Sequence, residues 1–157
     1  MATLVELDRK DRELLSLLQR DCRQSQAALA AQLNLSESSV RRRIDVLRAN
    51  GVIAREVALL APERVPGITV IVQVMFERES LEATTRFRQR MRALAEVQQC
   101  YSVSGAVDFV LLVRAADLAS YEQWGQRELM ADPAIRRYDS LVVWSTVKFE
   151  TALALGE

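Results

Sequence analysis

The chain has 157 residues, of which 50% are hydrophobic and 27% charged, enough for one globular domain or two small ones. No apolar run approaches the roughly 20 residues of a membrane span, and the first residues lead into a charged helix rather than a signal peptide, so we expect a cytoplasmic protein with no membrane partner. Histidine is absent and Cys22 and Cys100 match no metal spacing, so we expect no metal, no cofactor and no catalytic residue.

The first predicted helix covers residues 4–20. Asp8 is a plausible N-cap, with Asp11 three residues later in the first turn. Leu14 and Leu18 lie on the side that the pattern predicts to be buried. We expect this helix to brace the two that follow.

Residues 25–51 have the pattern of two helices joined by a sharp turn. Ser25 and Ser36 can each cap a helix start, and the turn begins at Asn34. A short helix, a tight turn and a basic second helix are the parts of a helix-turn-helix DNA reader. The net charge of the chain is zero, but residues 36–55 hold five basic and two acidic side chains, so basic charge is concentrated on the second helix.

The second helix has one apolar face and one polar face. At 100° per residue, Val40, Ile44 and Leu47 fall on one stripe and must face the core, while Arg42 lies on the opposite face, which can enter a DNA groove. The head of Arg43 can reach a phosphate or a carboxylate from the edge of the apolar stripe. A solvated basic face is the alternative for an arginine run alone, but the preceding helix and the turn favour DNA binding. The residues predicted to bind DNA are Ser36, Ser38, Ser39, Arg41, Arg42, Arg43 and Arg48.

Residues 52–60 are apolar and β-branched enough to predict a strand. Residues 61–67, with two prolines and a glycine, predict a hinge. The domain prediction is therefore a helix-turn-helix domain over 1–52, a strand and hinge linker over 53–67, and a second domain over 68–157.

The second domain alternates predicted strands and helices in the order β-α-β-β-α-β. The strands are expected at residues 68–76, 97–104, 109–114 and 138–149, and the helices at residues 80–94 and 117–130. This order predicts an α+β, ferredoxin-like fold, with helices on one face of an antiparallel sheet. The open face, with isoleucine, valine and Trp144 on the last strand, needs a cover, and a second copy of the chain is the economical one.

The whole pattern resembles the Lrp/AsnC family of bacterial and archaeal transcriptional regulators over about residues 7–148. The residues that carry the resemblance are Leu7-Asp8, Asp11 and Leu14-Leu15; Leu29-Ala30, Leu35-Ser36, Arg43-Ile44, Leu47 and Gly51-Val52-Ile53; and Tyr101-Ser102-Val103-Ser104-Gly105 with Asp108. Asn34 stands where the family often has glycine, and asparagine tolerates the left-handed turn. Glu37, Ser38 and Ser39 depart from the more proline-bearing start of the family's recognition helix, which leaves the base preference open.

The resemblance implies a winged or extended helix-turn-helix domain that binds double-stranded DNA, and a C-terminal domain that forms homodimers, which often assemble into octamers. It also implies a small effector, usually an amino acid, bound between dimers near the hairpin. There Gly105 would allow close backbone approach and Asp108 would accept an ammonium group. A glycine and an aspartate in a hairpin are also ordinary turn formers. The candidate effector-binding residues are Tyr101, Ser102, Ser104, Gly105, Asp108 and Ser140.

These observations predict a DNA-binding transcriptional regulator controlled by a small-molecule effector. One alternative is an architectural DNA-binding protein with little effector response, as in some relatives. A second is an enzyme on the same fold, since some similar proteins act on tetrapyrroles. The absence of histidine and the intact recognition helix argue against that enzyme.

Overall fold

The computed structural model describes residues 4–78 and 80–156. The described chain forms two compact units, one built from residues up to Leu59 together with those from Lys148 onward, the other from Leu60–Val147. Among the described residues no helix is long and apolar enough to cross a membrane. No group of metal-ligating side chains is assembled within the same part of the chain.

The first unit contains three helices, α1 (Arg9–Arg20), α2 (Gln26–Leu33) and α3 (Glu37–Ala49). The first helix begins later than predicted, because Asp8 caps it in a reciprocal capping box with Asp11. The predicted turn is confirmed, since Asn34 adopts the left-handed conformation with φ of 55°. The core residues shared by the three helices are Leu14, Leu15, Leu29, Ala30, Leu33, Val40, Ile44 and Leu47.

The predicted strand over residues 52–60 is wrong. The segment has no regular secondary structure, and Val57, Leu59 and Leu60 are mostly exposed. A strand requires a hydrogen-bonded neighbour, and none of the described strands pairs with this segment. β-Branched composition alone is therefore not enough to make this segment a strand. The helix-turn-helix unit has no wing strand in its described residues.

A tail from the end of the chain packs within the helical unit. The side-chain amide of Gln19 on α1 donates to the Leu153 carbonyl at 3.1 Å and accepts from the Leu153 N–H at 2.6 Å. Leu155 packs, half-buried, against the three-helix core. Residues distant in sequence thus complete this unit.

The second unit is a four-stranded antiparallel sheet with helices packed against one face. Its strands β1 (Ile68–Phe76), β2 (Val97–Ser102), β3 (Phe109–Ala115) and β4 (Ile135–Val142) lie in the spatial order β2-β3-β1-β4. Helix α4 (Leu81–Ala93) follows β1, and helix α5 (Leu118–Gly125), continued by a π-helical turn (Gln126–Met130), precedes β4. The ferredoxin-like β-α-β-β-α-β prediction is confirmed.

The covered face of the sheet carries every second residue of β1. Val70, Val72 and Val74 are fully buried under the helices, and Phe87 on α4 packs with Phe109 at 4.8 Å between ring centroids. The last strand is shorter than predicted. It ends at Val142, so Trp144 is not a sheet residue and is 98% exposed.

The open face carries an apolar row across three neighbouring strands. Leu112 on β3, Ile71 on β1 and Leu141 on β4 are directly opposite one another in the ladder. On the same face, Val110 on β3 lies directly opposite Tyr101 on β2. We call these five residues the open-face patch.

Candidate functional site

The outer face of α3 forms a groove with the start of α2. Its volume is about 590 Å³. We call its lining the reading surface, and it consists of Gln26, Glu37, Ser38, Arg41, Arg42, Asp45, Val46 and Ala49. The burial of Val40, Ile44 and Leu47 turns this face outward, as the helical pattern predicts.

Two arginines of the reading surface are available for a ligand. Arg41 and Arg42 are exposed, and neither forms an ion pair or a side-chain hydrogen bond with any residue that the structure describes. An arginine head without an internal partner can take two acceptors at once, on a guanine edge or a phosphate. Both arginines line the same groove.

Arg43, in contrast, is paired with carboxylates of the same helical unit. Its Nη1 lies 2.7 Å from Asp8 Oδ2 and 2.6 Å from Asp11 Oδ1, so the arginine ties α3 to the start of α1. These two hydrogen bonds raise the pKa of Arg43. The pKa of Asp8 is lowered, first by the Asp11 backbone N–H and then by Arg43. The sequence predicted that the Arg43 guanidinium would reach either a phosphate or a carboxylate, and the structure shows it bound to carboxylates.

Arg43→Gln is expected to lower the free energy of unfolding of the helical unit by about 1 kcal/mol at neutral pH, because both ion pairs are lost. The pKa of Asp8 is depressed in the folded state, so its contribution is complete above the ordinary carboxyl range and disappears as the pH falls through the lowered value. The difference between variant and wild type should therefore shrink in acid. Urea unfolding followed by far-UV circular dichroism measures it.

The matched control is Arg42→Gln, since Arg42 has no partner among the described residues. It should leave the unfolding free energy unchanged. Equal destabilisation by both substitutions would contradict the bracing role of Arg43.

Arg48 is also engaged within the unit. Its Nη2 lies 2.7 Å from Glu56 Oε1, and its Nη1 lies 3.7 Å from Asp45 Oδ1. The hydrogen bond to Glu56 is the main cause of its raised pKa. A phosphate contact by Arg48 would have to compete with Glu56.

The predicted serines divide between capping and the groove. The hydroxyl of Ser36 accepts from the Ser39 N–H and caps α3. The hydroxyls of Ser38 and Ser39 each share a hydrogen bond with that of Ser36. Only Ser38 of the three lines the reading surface.

Sequence reasoning did not assign Gln26, Glu37 or Val46 to the site, although all three line the reading surface. The helical wheel could have found Val46, which lies on the polar side and is half-exposed despite its apolar side chain. Gln26 belongs to the preceding helix, and only the crossing of α2 and α3 places it at the groove.

The hairpin between β2 and β3 is held by Asp108. Its Oδ2 accepts from the Phe76 N–H at 2.7 Å, its own N–H donates to the Val74 carbonyl, and its carbonyl accepts from Val103. Gly105 at the tip has φ of 148°, and a β-carbon added there would meet no atom within 4 Å, so the space beside it is open. Asp108 therefore has a structural role in the turn, and a carboxylate has acceptor capacity left beyond that one bond.

The other candidate effector residues do not meet within one chain. Tyr101 lies on the open face of β2, while Ser102 faces the helices and accepts from Arg88 on α4. Ser140 lies on β4, the opposite edge strand, where its hydroxyl is hydrogen-bonded to that of Tyr121. Three strand spacings, about 14 Å, separate the two edges.

Two family models match the chain. A winged helix-turn-helix DNA-binding model matches residues 7–54, and an Lrp/AsnC ligand binding domain model matches residues 69–153. An uncharacterised HTH-type transcriptional regulator of Sinorhizobium fredii is 35% identical over 96% of this chain and 90% of its own length. The leucine-responsive regulatory protein of Escherichia coli is 30% identical over 96% of this chain and 92% of its own.

Solved structures of similar proteins cover the same span. The crystal structure of an AsnC family transcriptional regulator from Agrobacterium tumefaciens is 35% identical, covers 95% of this chain and 97% of its own, and has a TM-score of 0.85. A Neisseria meningitidis transcriptional regulator in complex with L-Met is 27% identical, covers 96% and 97%, and also has a TM-score of 0.85. Each of these matches runs through both units of the chain.

Proposed function

Because this chain belongs to the Lrp/AsnC family of transcriptional regulators, we propose that it binds operator DNA through its reading surface and that an amino acid bound to its C-terminal domain controls that binding. The observation that carries the DNA half is an exposed α3 whose Arg41 and Arg42 have no internal partner among the described residues. We assign DNA binding to the domain predicted over residues 1–52, and effector binding and oligomerisation to the sheet unit Leu60–Val147. The chain from Lys148 onward, predicted within the second domain, belongs to the helical unit instead.

The effector half of the proposal has two supports. The ligand binding domain model matches residues 69–153, and the similar Neisseria protein was solved with L-Met. Gly105 and Asp108 at the hairpin are the residues we assign to the effector, with Ser104 beside them. Because Tyr101 and Ser140 lie on opposite edges, a pocket that used both would need a second copy of the chain.

A homodimer is the assembly that the open-face patch favours. Tyr101 and Leu141 of this patch are exposed, and Ile71, Val110 and Leu112 are half-buried, so the patch leaves apolar side chains in contact with water. A second copy would also bring two reading surfaces to neighbouring half-sites, which offsets the weak binding of one helix. The relatives are transcriptional regulators, and we propose that this chain acts in the cytoplasm without catalysis.

The test is fluorescence anisotropy of the purified protein with DNA from upstream of its own coding region and with a random duplex. Each mixture is repeated with a panel of amino acids that includes L-methionine and L-leucine. Tighter binding to the upstream DNA, shifted by one or a few amino acids, is expected. Equal binding to both duplexes with no amino-acid effect would instead favour an architectural DNA-binding protein.

Asp108→Asn is expected to abolish the amino-acid effect while DNA binding without effector stays at the wild-type level. Asparagine keeps an oxygen for the Phe76 N–H but loses the negative charge that would hold an ammonium group. Glu82→Gln, which removes one exposed charge from the first turn of α4, is the control. A variant that still responds like the wild type would remove Asp108 from the effector site.

A further inference from the structure

The reading surface contains carboxylates, which phosphate binding does not explain. Its titratable residues are two arginines, Arg41 and Arg42, and two carboxylates, Glu37 and Asp45, so its formal charge is zero. A carboxylate in a DNA groove is repelled by the phosphates unless a base donates a hydrogen bond to it. Glu37 has another explanation, since an acidic residue in the first turn stabilises the helix dipole.

Asp45 lies in the middle of α3, where the dipole does not explain it. It shares a stripe with Ser38, Arg42 and Ala49 at spacings of four, three and four residues. At 1.5 Å per residue this stripe is about 16 Å long, which spans about five base pairs. The Asp45 side chain is therefore placed to follow Arg42 along a groove.

The carboxylate of Asp45 also has acceptor capacity left. Its side chain is 63% exposed, and its only ion-pair partner among the described residues is Arg48, at 3.7 Å. Arg48 makes the shorter contact with Glu56, at 2.7 Å. The 3.7 Å contact from Arg48 is too long for a hydrogen bond, so the Asp45 carboxylate keeps its capacity to accept one from a ligand.

We propose that Asp45 is a base-reading residue that accepts a hydrogen bond from the exocyclic amine of cytosine. In the major groove only cytosine and adenine present an amine, and adenine places its N7 acceptor beside it, which repels a carboxylate. Guanine and thymine present acceptors only. This assignment rests on the proposed DNA binding and adds a base identity to it, with Arg42 one turn earlier on a guanine.

The experiment is selection of binding sites from a random duplex library by the full chain, in parallel for the wild type, Asp45→Asn and Glu37→Gln. The wild-type motif is expected to contain a cytosine that the Asp45→Asn motif replaces with adenine, because asparagine pairs with adenine N6 and N7. Duplexes that differ only at that position should show about a 10-fold preference that reverses between the two proteins. Glu37→Gln removes the same charge from the same surface, so it should tighten binding to all duplexes alike while the motif keeps the cytosine.

Each outcome decides the assignment. Identical motifs for the wild type and Asp45→Asn would overturn it while leaving DNA reading intact. Loss of the cytosine by Glu37→Gln as well would show that charge alone sets the preference, and would also overturn it. A wild-type protein that enriches no motif would overturn the proposed operator binding itself.

Discussion

Arg42→Ala is expected to weaken binding to the preferred operator about 10- to 100-fold, while binding to random DNA falls only a few-fold. Arg42 is central on the reading surface and has no internal partner among the described residues, so its loss removes a contact to DNA and none within the protein. Anisotropy titrations of both duplexes at one salt concentration measure the two losses.

Arg41→Ala is the matched comparison for Arg42→Ala. Arg41 lines the same groove but is turned about 100° around α3 from Arg42. We expect it to meet a phosphate, so its loss should weaken binding to both duplexes by the same factor. The plot of the logarithm of the binding constant against the logarithm of the salt concentration should become less steep by about one unit, because one fewer counterion is released. If Arg42→Ala also weakened both duplexes equally, its side chain would not read a base.

Ile71→Glu is expected to convert the proposed homodimer into a monomer. Ile71 is the middle residue of the open-face row, between Leu112 and Leu141, and a second copy seated there would bury the new carboxylate without a partner. Such burial costs about 4 kcal/mol, which raises the dissociation constant about 1,000-fold. Sedimentation velocity over a range of concentrations measures the change.

Two further variants separate the interface from folding. Leu141→Glu changes a residue of the same row that is already 52% exposed, so it should weaken the dimer without disturbing the monomer. Leu81→Glu makes the same chemical change on α4, where the side chain is 83% exposed on the helical layer, and should leave the dimer intact. If the dimer of Ile71→Glu dissociated with the same constant as the wild type, the dimer contact would have to lie elsewhere.

Local patterns in the sequence predicted most elements that position the site. The Val40, Ile44 and Leu47 stripe identified the outer face of α3, and Asp8, Ser25 and Ser36 identified three helix starts. The strand predicted over residues 68–76 was found with those bounds. These features depend on residues within a few positions of one another, which is why one sequence suffices to find them.

Features that depend on distant partners could not be predicted in the same way. The engagement of Arg43 by Asp8 requires two helices to be placed first, and so does the pairing of Arg48 with Glu56. The strand over residues 52–60 was predicted from composition, but no described strand lies beside it. The separation of Tyr101 from Ser140 follows from the spatial order of the strands rather than from their order in the chain.

The tail held by Gln19 has a consequence for how the protein is made. The three helices leave the ribosome early. The backbone of Leu153, which is hydrogen-bonded to Gln19, and the side chain of Leu155, which packs on the helical core, are synthesised after the whole sheet domain. At 5–20 residues per second, that interval is roughly 5–20 s. During it, newly made helices expose the apolar surface that Leu155 will cover, so the helical unit is completed only by the last residues to be synthesised.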